Sequence, residues 1–431
     1  MRWLAVLLIY AVGSVLSLTG MVWASALFLW NDIFQPLEFA RNPGALPVAY
    51  IVSFILLFAF LQMWARGKVR PLGGIFLYAV IGLIVWLLIV TMASPFRHVT
   101  VEGFITLLKY LIPLVIIYTS TQNLRELRIL SFVLASSVGI WGAQAGLHCL
   151  ITGPNIFMGI PGGQMTDRND FACAMVGTVP VLIYFAFSYS WRYRLLVRVI
   201  FGLMAFLTVC AIVLSLSRGA SLGLGASALL YSVYVSKKKI RDTFILALIG
   251  AITLVSLPQS WWDRMNTIEV GSDQSEGSAR SRMNLIHGAI RCTQDNPIFG
   301  VGPGGWLEVA MAYTNDDHNP HSIYLVLSTE TGLPGLGIFL LIMLITAWRV
   351  NKVIRLAVKR KQVEIARLGT AFLMAIIGLL AGMTFLNRPF NEYLWSWVCL
   401  ANVLAELYFH RPKELGILPA KPALKPTVNP A

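Results

Sequence analysis

Apolar runs close to 20 residues long recur along this chain, and no other feature limits its fold as strongly. A helix of that length spans roughly 30 Å, the thickness of the hydrocarbon core of a bilayer. Of the 431 residues, 57% are hydrophobic and 13% charged, against about 25% charged in a soluble globular domain. The predicted fold class is therefore an all-α polytopic integral membrane protein. A net charge of +14 suggests nucleic-acid chemistry only until the charges are located, because many fall in short clusters between apolar runs. The cysteines at 149, 173, 210, 292 and 399 lie far apart without a CxxC pair. That pattern points to neither a zinc site nor a disulfide framework. The first apolar run follows Met1-Arg2 and shows no small-residue cleavage site, so it reads as retained.

Four basic clusters orient the spans: Arg66, Lys68 and Arg70; Arg192, Arg194 and Arg198; Lys237, Lys238, Lys239 and Arg241; and the run from Arg349 to Lys361. By the positive-inside rule these are cytoplasmic. Spans are expected at 46–64, 73–92, 103–119, 129–147, 170–189, 196–215, 219–235, 243–258, 331–348, 367–385 and 391–409. An even number of crossings separates the clusters, so all four fit on one side. Residues 3–31 are long for one helix and short for two, with Thr19-Gly20 as a dividing point. The total is roughly 12 helices with both termini inside. Domain limits follow: an N-terminal bundle over 1–258, a large loop on the side opposite the basic clusters over 259–330, C-terminal helices over 331–409 and a disordered cytoplasmic tail over 410–431.

The opposite side should be poor in arginine, yet Arg41, Arg97, Arg168, Arg218, Arg264, Arg280, Arg282, Arg291 and Arg388 all fall there. Snorkelling and headgroup contact account for any one of them. Several converging would bind phosphate, because a guanidinium bonds phosphate oxygens in pairs and keeps its charge. Arg218 stands out, in a short turn between two apolar runs, with Ser217 before it and Gly219 after it to allow close approach. Residues 279–293 predict an amphipathic helix lying along the membrane interface, capped at Gly277-Ser278 and ended by Asn296-Pro297. Met283, Ile286 and Ile290 form its apolar stripe, with Arg282 at the border. GVGPGGW at 300–306 lacks the preceding strand and following Lys-Ser/Thr of a nucleotide loop, and reads as a loop packed closely on a neighbour. Asn315-Asp316-Asp317-His318 offers metal-ligand chemistry; a solvated loop tip is the preferred reading, so no metal or other cofactor is expected.

The segment HSIYLVLSTETGLPG, 321–335, begins above the expected membrane boundary near residue 329. Pro334 should break the helix there. His321, Tyr324 or Leu325, Ser328, Gly332 and Gly335 share a face, placing His321 at the rim of an arginine-lined space, where a neutral imidazole accepts a proton near pH 7.

His321-Ser322, nine residues and Gly-x-x-Gly resemble the signature of bacterial O-antigen ligases, whose superfamily includes O-antigen polymerases and protein O-oligosaccharyltransferases. Asp167–Ala172, Ser215–Gly219 and the pairing of Arg280-Ser-Arg282 with Asn296–Gly302 are similar to further family segments. The overall pattern also resembles the O-glycosylation ligases associated with exosortase A. Arg280 and Arg282 compete for one family position, and Ile286 stands where an aromatic is common. The resemblance implies a GT-C-like glycosyltransferase of a bacterial inner membrane. It would transfer a glycan from undecaprenyl pyrophosphate to an acceptor hydroxyl at the periplasmic face, the acceptor being lipid A core, protein or another glycan. His321, Arg218 and Arg282 would then be catalytic, with Arg280, Arg168, Asp170, Arg388, Ser217 and Tyr324 binding substrate. A polymerase is the rival within the enzyme class. The rival outside it is a lipid-linked sugar transporter, which should place ionisable groups at mid-membrane; Lys109 is the one evident candidate.

Overall fold

A computed structural model describes residues 2–40, 47–69, 71–153, 159–160, 165–187, 193–234, 241 and 273–415. The span expected at 243–258, Arg41, Arg264, the side chain of Arg280 and the tail from 416 lie outside what is described. The described residues form 15 α-helices and no strand, as the apolar runs require. Residues 3–31 resolve into two short helices, α1 (Arg2–Ser17) and α2 (Met21–Phe34), divided at Leu18–Gly20. A single turn, α3 (Pro36–Phe39), follows. Next come α4 (Val48–Ala65), α5 (Ile75–Ala93), α6 (Arg97–Ser120), α7 (Leu124–Thr152), α8 (Arg168–Phe187), α9 (Arg194–Leu214) and α10 (Arg218–Tyr234). Beyond residue 272 lie α11 (Asp273–Asp295), α12 (Trp306–Thr314), α13 (Ile323–Lys359), α14 (Val363–Gly382) and α15 (Glu392–His410). Among the described residues, eight helices are long and apolar enough to cross a membrane, the one containing α14 being extended by the 3-10 turn Met383–Phe385.

Burial separates the bundle's centre from its surface. Nearly every residue of α8 and α15 is buried. Helices α4, α5 and α9 instead leave large apolar side chains uncovered, such as Phe54, Tyr78 and Leu195, as lipid-facing helices do. One end of the bundle is tied by Arg128–Glu364 (2.5 Å), Tyr408–Gln362 (3.1 Å) and Arg411–Gln122 (2.9 Å). Just inside it, Arg349 and Glu406 form a buried ion pair. The start of α8, the turn between α9 and α10 and the end of α14 gather at the other end, together with α11 and α12.

The expected break near Pro334 occurs at Gly332, whose φ of 69° and ψ of 177° interrupt α13. Interrupting the helix frees backbone carbonyls that would otherwise cost free energy unpaired. The glycine-rich loop supplies donors: Val301 N–H to Thr329 O at 2.8 Å and Gly302 N–H to Glu330 O at 2.9 Å. Trp86 Nε1 donates to Thr331 O at 2.9 Å, and Leu333 N–H donates back to Pro297 O at 2.8 Å. Gly300 and Gly302 adopt φ of 64° and 99° to make these approaches. The loop therefore packs on the break, as its composition suggested. A Cβ on Gly332 would also meet Ile298 O.

Gly332→Ala should destabilise the protein by about 1–3 kcal/mol, since strain and overlap act together. Gly337→Ala, at a helical position where a Cβ meets nothing within 4 Å, should leave stability level or slightly raised. Thermal melting of both variants in detergent checks the contrast; equal midpoints would contradict it.

Candidate active site

A cavity of about 280 Å³ opens at the end of the bundle that carries α11 and α12, and Arg168, Arg218, Arg282 and His321 all line it. They come from four separate parts of the chain. No Asp or Glu is among the lining residues.

Arg168 opens α8, where Asp167 caps the helix by accepting from Asn169 N at 2.7 Å and from Asp170 N at 3.4 Å. Asp170 turns inward and is buried. Arg218 opens α10 after the Ser215–Ser217 turn. Ser215 Oγ donates to Ile212 O at 2.7 Å and accepts from Ser217 N at 3.3 Å. Leu216 between them holds a left-handed φ of 58°, a strained conformation of the kind that collects at functional sites. Ser217 Oγ accepts from Ala220 N at 3.5 Å, so its hydroxyl caps α10. A Cβ on Gly219 would stand 2.6 Å from Gly382 O, so only glycine lets α10 begin this close to the end of α14.

Arg282 projects from α11, which runs Asp273–Asp295 and so ends where expected. Its start does not follow the sequence reading: Gly277 and Ser278 lie within the helix rather than capping it, because the polar stretch before them continues the helical backbone. Leu285, Ala289 and Cys292 form its buried face, against Val301, Trp306 and Ala310. Thr293 Oγ1 lies 3.0 Å from Ser328 Oγ on α13, and Ser281 donates to Asp316. Met283, Ile286 and Ile290 remain 52%, 36% and 42% exposed, so the apolar stripe read from the sequence is uncovered by the rest of the described chain. Ile286 reaches the cavity.

His321 immediately precedes α13. Desolvation by the surrounding protein holds its imidazole below the ordinary value, and the Arg282 and His318 charges add to this against Asp167 and Asp316. Near pH 7 the ring is neutral and able to accept a proton. His318, by contrast, is pushed up by Asp316, whose Oδ1 lies 2.5 Å from its Nδ1. With Asp317 these groups place possible ligand atoms within 4.8 Å of one another. A raised pKa works against metal binding by the imidazole, since its proton must leave first, and the contacts within the loop account for the arrangement.

Ser217, also a sequence candidate, lines this cavity beside Gly219; the other candidates lie elsewhere. Tyr324 donates to Leu380 O at 3.2 Å, against α14. Arg388 lines neighbouring cavities, with Nε 3.9 Å from Asp170 Oδ2. Asn169, Leu216, Ile286, Phe385 and Leu386 complete the first cavity. Asn169 could have been found through its place in the first turn beside Arg168. Phe385 and Leu386 carry no signal, since only the 3-10 turn after α14 brings them in. Three fixed cations around a neutral base suit an anionic group with a hydroxyl nearby.

Arg282→Met should raise the titration midpoint of His321, since removing a cation eases protonation. Diethyl pyrocarbonate modification of His321 against pH, read by mass spectrometry, should shift its acidic limb upward. An unmoved limb would show that the Arg282 charge does not reach the ring.

Residues 203–340 match the family model described as O-Antigen ligase. The match runs from within α9 through the first part of α13 and includes Arg218, Arg282 and His321; Arg168, Asp170 and Arg388 lie outside it. No curated protein matches the chain. The match does not separate the superfamily's branches, the exosortase-associated one included. It supports the chain's place in the O-antigen ligase superfamily, and with it a membrane glycosyltransferase of the ligase or polymerase type.

Proposed function

We propose that the chain is an O-antigen ligase-type enzyme that moves a glycan from undecaprenyl pyrophosphate to an acceptor hydroxyl, lipid A core or similar, at the periplasmic face of the inner membrane. The observation that carries this reading is the meeting of Arg168, Arg218, Arg282 and His321 in one cavity whose described lining holds no carboxylate. Residues 259–330 and the start of α13 would form the periplasmic module that brings Arg282 and His321 over the bundle.

In the step itself the acceptor oxygen attacks the anomeric carbon and gives its proton to His321. The bond from that carbon to the pyrophosphate oxygen breaks, and its electron pair leaves with undecaprenyl pyrophosphate. Attack opposite the leaving group inverts the anomeric centre. Arg218 and Arg282 clamp the pyrophosphate, with Arg280 and Arg168 as further contacts; Arg388 and Asp170 hold the adjoining wall. Fixed guanidinium charge stabilises the developing anion without reorganisation. Proton transfer to a positioned base contributes typically 10²- to 10⁴-fold.

Purified full chain supplied with a synthetic polyprenyl-pyrophosphate sugar and several acceptors should yield single-transfer products, unaffected by excess chelator. Ladders of repeats would establish the polymerase instead, and donor movement without product the transporter. His321→Ala should lower turnover at least about 100-fold while donor binding persists; full turnover in a correctly inserted variant would remove its role. Arg218→Ala should weaken binding of a lipid pyrophosphate about tenfold or more, and unchanged affinity would dismantle the clamp.

A further inference from the structure

A second and larger cavity, about 540 Å³, lies beside Arg388, between the end of α2, the start of α4, the middle of α6 and the start of α15. Its lining is of mixed character: Asp32, Glu38 and Glu392 stand with Lys109 and Arg388, and Tyr50 and Tyr110 supply rings. Glu392 is 5% exposed and lines this space, and its Oε2 has no hydrogen-bond partner. The same carboxylate accepts from Tyr110 and feels the charge of Asp32. Asn391 fixes its position by capping α15, accepting from Leu394 N at 2.9 Å. Lys109 Nζ lies over the Tyr50 ring, 5.7 Å from its centroid. The one basic residue that sequence placed in mid-span thus belongs to this cavity wall.

A buried, half-satisfied carboxylate beside a cation and aromatic rings selects among ligands. A phosphate would face three carboxyl groups, Asp32, Glu38 and Glu392, beside the two cations. A metal cation would meet Lys109 and Arg388. An apolar chain would leave Glu392 Oε2 unpaired at a cost. Sugar hydroxyls both donate and accept, so one ring can serve carboxylates and cations together, while its C–H face packs on an aromatic ring. The cavity also borders the first: Arg388 approaches Asp170, which follows Arg168 and Asn169, and Leu386 lines the first cavity two residues before Arg388.

We infer that this cavity is a saccharide subsite that holds an uncharged, polyhydroxylated segment of a glycan beside the anion-binding cavity. The inference rests on the proposed glycosyl transfer for its place in a reaction, while binding can be measured without it. Full chain in lipid nanodiscs would be passed over an array of lipid-free neutral oligosaccharides of hexose and N-acetylhexosamine. The wild-type protein should retain at least one of them. Glu392→Gln and Lys109→Met should each weaken retention about tenfold or more, and Arg282→Met, in the other cavity, should leave it unchanged. Lys109 is exposed, so its variant tests the site even if Glu392→Gln fails to fold. Retention of nothing, equal retention by Lys109→Met, or equal loss with Arg282→Met would overturn the subsite. With retention established, displacement by a lipid-pyrophosphate glycan identifies the donor sugar as the occupant, and persistence identifies the acceptor. Loss of transfer in an activity assay with array binding intact would count against the proposed reaction alone.

Discussion

The helix that delivers His321 cannot pass straight through Gly332, and the backbone carbonyls this break releases decide how the end of the bundle is built. Thr329 O and Glu330 O are taken by Val301 and Gly302, and Thr331 O by Trp86. The Glu330 carboxylate accepts from the backbone of Gly304 and Trp306, at the start of α12, where a helix favours negative charge. One interruption thus anchors the glycine-rich loop, α12 and α5 to the same turn of α13. Because α11 packs on α12 and bonds to Ser328, Arg282 inherits its position relative to His321 from that junction. On the far side, Gly219 and Gly382 bring Arg218 close by tight backbone packing.

The electrostatics follow from this placement. Three guanidinium groups share a cavity with an imidazole whose protonation is opposed first by burial and then by the charge of Arg282. Arg282, one of the cations that would hold an anion, thus also favours the free base, so binding and proton transfer draw on one arrangement. The carboxylates of this region serve other ends: Asp167 caps α8, Asp316 holds Ser281 and His318, and Asp170 faces Arg388. Across the wall at Arg388 the cations share their cavity with the carboxyl groups of Asp32, Glu38 and Glu392, which suits a phosphate on one side and a sugar on the other.

The helices could be read from sequence because an apolar run long enough to span lipid has few other folds. The boundaries of α4, α5, α8, α9 and α10 fall within a few residues of expectation, and Thr19-Gly20 marked the division between α1 and α2. Arg218 and His321 could be read because one sits in a turn too short to hide it and the other heads a segment with a forced break. The start of α11 could not, since Gly277 and Ser278 carry cap chemistry within a stretch that stays helical. Periodicity put Tyr324 with His321, but the first turn of α13 directs its hydroxyl to Leu380. The partners of the glycine-rich loop lie about 30 residues downstream, and pairing across such a distance leaves no local pattern. Phe385, Leu386 and the cavity around Glu392 depend on how whole helices meet, which spacing within one helix does not encode.

A cryo-electron microscopy structure of the full chain in nanodiscs with undecaprenyl pyrophosphate would test the central claim most directly. The account predicts diphosphate density in the first cavity, bonded by Arg218 and Arg282, with the His321 ring facing the side from which an acceptor would attack. Density for the diphosphate at the opposite end of the bundle, or away from those two guanidinium groups, would contradict it.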